Sequence, residues 1–266
     1  MKWVAQGHEL DKIAKQILWN CKSRDKFYIY GAGNLGKQLL ETLRRNGHFS
    51  AFIDNDVSKQ INGFCDESVI KFEDYKDMGN HNIIIIAASE KNTIEIKKEL
   101  DNEGFLANKD YYTYEEFLNQ IYPIIAMYCH DELFMSLCQI VLTERCSLKC
   151  KKCAHACYAT DYQTEDMTLE QVANSANNFF KRVDYIHEFV LIGGEPLLYK
   201  DLSKAIEYIG GKYRRQMGTF SITTNGTIMP DMDIIKACRK YNVLLRISNY
   251  SAQIPRLKEK YKKLKF

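Results

Sequence analysis

Short β-branched or aromatic runs, each ending at a glycine or polar turn and leading into a helical pattern, recur along this 266-residue chain. Strands that alternate with helices bury their apolar faces best as a parallel sheet covered by those helices. The pattern therefore predicts an α/β protein, and at roughly 150 residues per domain the length predicts two domains. Residues 1–25 form an amphipathic opening with Ile13, Ile17 and Leu18 on one helical face. Residues 26–30 are a buried strand, followed at once by Gly31-Ala-Gly33-Asn-Leu-Gly36 and a helix carrying Leu35, Leu39, Leu40 and Leu43. Residues 51–53, ending in Asp54, and residues 83–88 are further strands; 93–100 and 114–121 are helical. Pro123 interrupts the pattern, and residues 122–137 show no clean period, which puts the joint there and the domains at 1–122 and 123–266.

A second series starts at residue 138. Strands are expected at 139–142, 189–192, 220–224 and 243–248. Thr168-Leu-Glu-Gln171 fits a capping box, Asp201 a helix N-cap, and Pro230 and Pro255 the openings of two more helices. This makes four βα units.

Of nine cysteines, four fall within twelve residues: Cys146, Cys150, Cys153 and Cys157. With no apolar signal core at the N-terminus, the expected location is the cytoplasm, where such a cluster favours a metal site over disulfides. Cys146-x3-Cys150-x2-Cys153 directly after a strand can hold three irons of a cubane cluster. It can equally serve zinc, with Cys157 or His155 as fourth ligand.

With Gly193-Gly194-Glu195-Pro196 after the second strand of the series, the C-terminal half resembles the radical S-adenosylmethionine (radical SAM) superfamily. The resemblance implies a partial (βα) barrel and a 4Fe–4S cluster on Cys146, Cys150 and Cys153. It implies SAM held by Gly193, Gly194, Glu195, Asn225 and Ser248, with Glu195 on the SAM amino group. It further implies reductive cleavage of SAM to a 5′-deoxyadenosyl radical that abstracts hydrogen from a substrate, with electrons from a donor such as a flavodoxin or ferredoxin. The two glycines also suit a tight turn needing positive φ. Lys152 stands where the family has an aromatic or large apolar residue. The family core has six βα units, so the chain reads as a barrel truncated after four, and no hydrogen-abstraction residue is assigned.

In the first half, Gly31, Gly33 and Gly36 follow a strand and open a helix, and Asp54 ends the next strand. Glycines in this arrangement let backbone approach a pyrophosphate, and the acidic residue meets a ribose hydroxyl. The half resembles the Rossmann-like nucleotide-binding domains of bacterial sugar-modifying proteins. The ligand candidates are NAD(P) and a nucleotide sugar, with Asp54 favouring a free 2′-hydroxyl, and the pairing suggests a sugar-related small-molecule substrate. Two alternatives stand beside this reading: a nucleotide-dependent oxidoreductase with a structural zinc site, and a non-catalytic truncated binding protein.

Charge and hydropathy exclude other classes. The net charge of +3 is concentrated from Arg256 onward, where six Lys or Arg face one Glu and Leu257, Tyr261 and Leu264 fall at helical spacing. That is an amphipathic surface helix rather than a nucleic-acid surface. The longest apolar stretch, 83–88, is far below the roughly 20 residues of a membrane span. Tyr111, Tyr112 and Tyr114 read as cover for a helix–sheet seam, and Trp3 and Trp19 as packing residues.

Overall fold

The computed structural model describes residues 8–21, 24–78, 82–159 and 165–263. The chain divides into two compact units, Met1–Met135 and Ser136–Phe266.

The first unit is built on five strands: β1 (Phe27–Tyr30), β2 (Phe49–Ile53), β3 (Val69–Ile70), β4 (Ile83–Ile86) and β5 (Tyr111–Thr113). They pair in the order β3-β2-β1-β4-β5, and every neighbouring pair is parallel. The order reverses direction between β1 and β4, so the chain's switch point lies beyond the ends of those two strands. β4 is four consecutive isoleucines, all buried, as a central parallel strand covered on both faces requires. The helices are α1 (His8–Cys21), α2 (Asn34–Arg45), α3 (Val57–Asn62), α4 (Phe72–Asp77), α5 (Glu90–Asn102), α6 (Tyr114–Glu116) and α7 (Tyr122–His130). In α2, Leu39, Leu40 and Leu43 are completely buried, and Arg44 and Arg45 sit in the last turn, where cations suit the helix dipole.

Several expectations change here. The buried stripe of α1 is Ala14, Ile17 and Cys21, whereas Ile13 is 52% exposed. Tyr111 and Tyr112 are buried strand residues of β5. Pro123 does not end a helix. A π-helical turn (Phe117–Ile121) leads into α7, and Pro123 occupies its first turn, where a missing N–H leaves nothing unpaired. Trp3 and part of the opening segment lie outside the described residues, as does Leu264.

The second unit holds all but the first two residues of β6 (Phe134–Val141), and α8 (Leu169–Phe180), β7 (Tyr185–Ile192), α9 (Leu202–Tyr213), β8 (Met217–Thr224), α10 (Met232–Tyr241), β9 (Val243–Ile247) and α11 (Leu257–Lys263). The sheet runs β6-β7-β8-β9, with β7–β8 and β8–β9 parallel. Its core joins Phe189, Leu191, Phe220 and Ile222 to Val172, Ala176, Ile206 and Ile209 of the helices. The Thr168–Gln171 capping box forms as expected: Thr168 Oγ1 accepts the Gln171 N–H at 3.1 Å and Gln171 returns the bond at 2.8 Å. Asp201 stands at the start of α9, but its carboxylate pairs with Lys204 instead of capping a backbone N–H. The cap of α10 is Asp231, one residue past Pro230, accepting from Asp233 and Ile234 N–H. Among the described residues, no helix is long and apolar enough to cross a membrane.

Candidate functional site

The residues singled out in the second unit all follow strand ends. Cys146, Cys150 and Cys153 lie on the loop leaving β6, Glu195 follows β7, Asn225 follows β8 and Ser248 follows β9. In parallel strands those ends share one side of the sheet, so the topology gathers the loops there.

Two glycines let the first loops meet. A Cβ on Gly193 would lie 2.4 Å from the Thr143 carbonyl oxygen, and one on Gly194 would lie 2.3 Å from that of Arg145. With no Cβ present, Gly194 N–H donates to Thr143 at 2.8 Å and Glu195 N–H to Arg145 at 2.9 Å. Neither glycine has positive φ. The turn-geometry expectation is thus replaced by close backbone approach. Arg145 is braced by Asp166 and by the Leu198 carbonyl at 2.9 Å, and Thr143 donates to Asp166 at 2.6 Å. Burial alone would raise the Asp166 pKa, but Arg145 and Thr143 hold it below the usual carboxylate range.

Glu195 is completely buried. Its Oε1 accepts from Thr224 Oγ1 at 2.7 Å and Leu197 N–H at 3.1 Å, and its Oε2 from Asn225 N–H at 2.8 Å. Burial raises its pKa against the pull of those three donors. Asn225 in turn reaches the cysteine loop: its Nδ2 donates to Cys146 Sγ at 3.7 Å and to Ser147 Oγ at 3.1 Å. Ser248 joins through its backbone, donating N–H to the Thr224 carbonyl at 2.8 Å.

All nine cysteines are free thiols. Cys146, Cys150 and Cys153 are half-buried and Cys157 is buried. Burial raises the Cys146 thiol pKa, with Leu148 N–H donating to its sulfur at 3.4 Å in opposition. Burial acts the same way on Cys153, but the N–H groups of Cys157, His155 and Ala156 and the Cys157 thiol converge on it and lower its pKa. Cys157 is pushed up, by burial first and then by its bond to Cys153. Among the described residues no three His, Cys, Asp or Glu side chains are gathered to hold a single metal ion. A cubane cluster asks for something different, one thiolate on each of three irons. Three thiols on one loop, one of them favoured as thiolate by surrounding N–H groups, fit that donor set.

Tyr250 carries no signal in the sequence and Tyr261 reads there only as part of an amphipathic stripe, because their partners at the site are remote or depend on the loop's path. Tyr261, on α11, donates to the Asn225 carbonyl at 3.0 Å, lies 3.2 Å from that of Ser248, and accepts the Tyr250 N–H at 3.1 Å. The Tyr250 phenol pKa is raised by burial and then by Cys150, to which it hydrogen-bonds.

In the first unit the glycine motif and Asp54 also come together. Gly31 has φ +119°, and a Cβ there would lie 2.5 Å from the Ala87 carbonyl; one on Gly36 would lie 2.1 Å from the Gly31 carbonyl. Gly33 faces open space. The Asp54 carboxylate accepts the Ala32 N–H at 2.7 Å and pairs with Lys59 at 3.2 Å. Beside it lies a cavity of about 650 Å³ lined by residues including Tyr30, Gly31, Asp54, Asn55, Glu95 and Glu99.

The family model of the Radical SAM superfamily matches residues 140–261. Two curated relatives are GTP 3′,8-cyclases, from Erythrobacter litoralis (31% identical over 93 residues) and Marinobacter nauticus (30% over 94 residues). Each match covers 35% of this chain and 27% of the cyclase, so the chain spans about a quarter of these relatives. Among solved structures, Streptococcus suis SuiB bound to precursor peptide SuiA aligns at 17% identity and a TM-score of 0.35. That alignment covers 59% of this chain and 36% of SuiB.

Proposed function

Residues 140–261 belong to the radical SAM superfamily, and on that premise we propose that the second unit holds a 4Fe–4S cluster on Cys146, Cys150 and Cys153 with SAM beside it. The observation that carries this reading is the bridge at one sheet end: the buried Glu195 carboxylate grips Asn225, and Asn225 reaches Cys146. When bound, the two cofactors supply reductive cleavage of SAM to a 5′-deoxyadenosyl radical that takes a hydrogen atom from the substrate.

The chain's own residues bind, orient and exclude water. The Gly193–Gly194 backbone and the carbonyls of Thr143 and Arg145 set where the cysteine loop starts. Glu195 supplies a buried carboxylate suited to an amino group, and its Oε2 receives one N–H where Oε1 receives two donors. Ser248 supplies a hydroxyl at the end of β9. A small-molecule substrate of sugar-related type, an external flavodoxin- or ferredoxin-like reductant and a cytoplasmic location complete the proposal.

A zinc knuckle is the second reading, favoured by the Cys157 thiol on Cys153. The test is anaerobic reconstitution with iron and sulfide, then SAM and dithionite. Formation of 5′-deoxyadenosine supports the radical enzyme. Stoichiometric zinc with no iron uptake supports the knuckle.

For the first unit we infer a ribose-bearing nucleotide beside Asp54, NAD(H) or a nucleotide sugar. The open face of Gly33 and the adjoining cavity support it. On the cavity wall the carboxylates of Asp54, Glu95, Glu99 and Glu103 outnumber the one lysine, Lys98, even with Asp54 paired to Lys59, and that balance disfavours a 2′-phosphate. Calorimetric titration with NAD and NADP tests this: NADP binds at least about tenfold more weakly, a difference of roughly 1.4 kcal/mol. Equal affinities, or no binding of NAD or a nucleotide sugar, overturn it.

A further inference from the structure

We propose that Asn225 is a positioning residue for the cluster, its side-chain amide donating to the Cys146 sulfur and raising the potential at which the cluster is reduced. The proposal rests on the reading that Cys146 ligates iron.

The geometry leaves this side chain little else to do. Asn225 is 7% exposed. Its two amide hydrogens are directed at Cys146 Sγ, 3.7 Å away, and Ser147 Oγ, 3.1 Å away. Its Oδ1 accepts the Thr227 N–H at 2.9 Å. That last bond fixes which end of the amide faces the sulfur, since a flipped amide would set NH2 against N–H. The backbone is held as firmly. Glu195 Oε2 accepts the Asn225 N–H, and the Asn225 carbonyl accepts the Tyr261 hydroxyl. Ser147 is tied to the same turn by a 2.5 Å contact with Thr227 Oγ1.

Four atoms from four other residues therefore aim one neutral N–H donor at one thiol. Such a donor withdraws electron density from a ligating thiolate and favours the more negative, reduced cluster, which raises the potential. Leu148 N–H is a second donor to the same sulfur, but it belongs to the backbone and follows the loop. Asn225 is the donor that a side-chain substitution can remove. The family resemblance places Asn225 on SAM, whereas both polar ends of its side chain are engaged within the protein.

The test is a redox titration of the anaerobically reconstituted full chain, following the EPR signal of the reduced cluster without SAM. Asn225→Asp keeps the shape but removes the donor and adds negative charge, and Asn225→Ala removes the amide altogether. Thr227→Ala keeps the Thr227 N–H and the amide orientation, so it serves as the control. Both Asn225 variants shift the midpoint to more negative potential, Asp further than Ala. The Thr227→Ala variant stays at the wild-type value. An unchanged midpoint in either Asn225 variant that retains wild-type iron content overturns the proposal. A tenfold loss of SAM affinity alongside that unchanged midpoint would make Asn225 a SAM contact instead. Failure of the wild-type chain to take up iron is a separate result, which refutes the cluster reading itself.

Discussion

The Glu195 carboxylate accepts the backbone N–H of Asn225 at 2.8 Å, so the turn after β7 holds the turn after β8. With the bonds from Thr224 and Leu197, three donors depend on one fully buried side chain. Glu195→Ala strands all three and opens a void. Each stranded buried donor costs on the order of 1–3 kcal/mol, so loss of at least about 3 kcal/mol is expected by denaturant titration. Glu195→Gln keeps the shape but sets its NH2 against either the Asn225 N–H or the Thr224 and Leu197 donors, so part of that loss remains, and it presents an amide where an amine is to be bound. SAM affinity should drop at least about tenfold. Wild-type stability in Glu195→Ala would contradict the role assigned to these bonds.

Gly194 marks a place where backbone meets backbone. An added methyl would sit 2.3 Å from the Arg145 carbonyl oxygen, and neither chain can swing aside as a flexible side chain can. Gly194→Ala should destabilise the second unit by about 1–3 kcal/mol and reduce iron retention, because the displaced loop carries Cys146. Thermal unfolding and iron analysis check both. A stable variant with full iron content would show that the loop tolerates the shift.

Tyr261→Phe removes only the hydroxyl that joins Asn225, Ser248 and Tyr250. The ring still packs over Gly226, where a Cβ would lie 2.5 Å from it. A loss of about 1–2 kcal/mol is expected, together with weaker SAM binding. A phenylalanine variant with unchanged stability and SAM affinity would reduce α11 to simple surface cover.

Much of this architecture is legible in local sequence. The Thr168–Gln171 capping box, the apolar run 83–86 and the spacing of Cys146, Cys150 and Cys153 each express their physics within a few residues. What stays hidden depends on distant partners. Gly193 and Gly194 suggest a turn until Thr143 and Arg145 are seen against them. Tyr261 looks like one stripe of an amphipathic helix, yet its hydroxyl acts 36 residues away on Asn225. β3 has only two residues, too few to show a period, and β5 is aromatic in a way that also suits a seam. Pro123 misleads because its missing N–H reads as a break wherever the helix start is unknown.

His187 is fully buried on β7, and burial, followed by the nearby Arg246 charge, lowers its pKa to about 3. Unfolding returns it to its ordinary value near 6.5. Its pKa is depressed in the folded state, so its contribution is intact above about pH 6.5 and is lost as pH falls toward 3. The slope it adds is at most about 1.4 kcal/mol per pH unit. Denaturant midpoints between pH 7 and pH 4.5 should fall less steeply in His187→Gln than in the wild type. Parallel pH profiles would mean that His187 is protonated within the fold.

The most direct measurement is the metal content of the anaerobically reconstituted chain, with the Mössbauer spectrum of the bound iron, in wild type and in a Cys150→Ser variant. About four irons and four sulfides per wild-type chain, in a cubane spectrum that is lost or severely diminished in the variant, is the expected result. One zinc per chain with no iron, or iron uptake indifferent to Cys150, would contradict a cluster held by Cys146, Cys150 and Cys153.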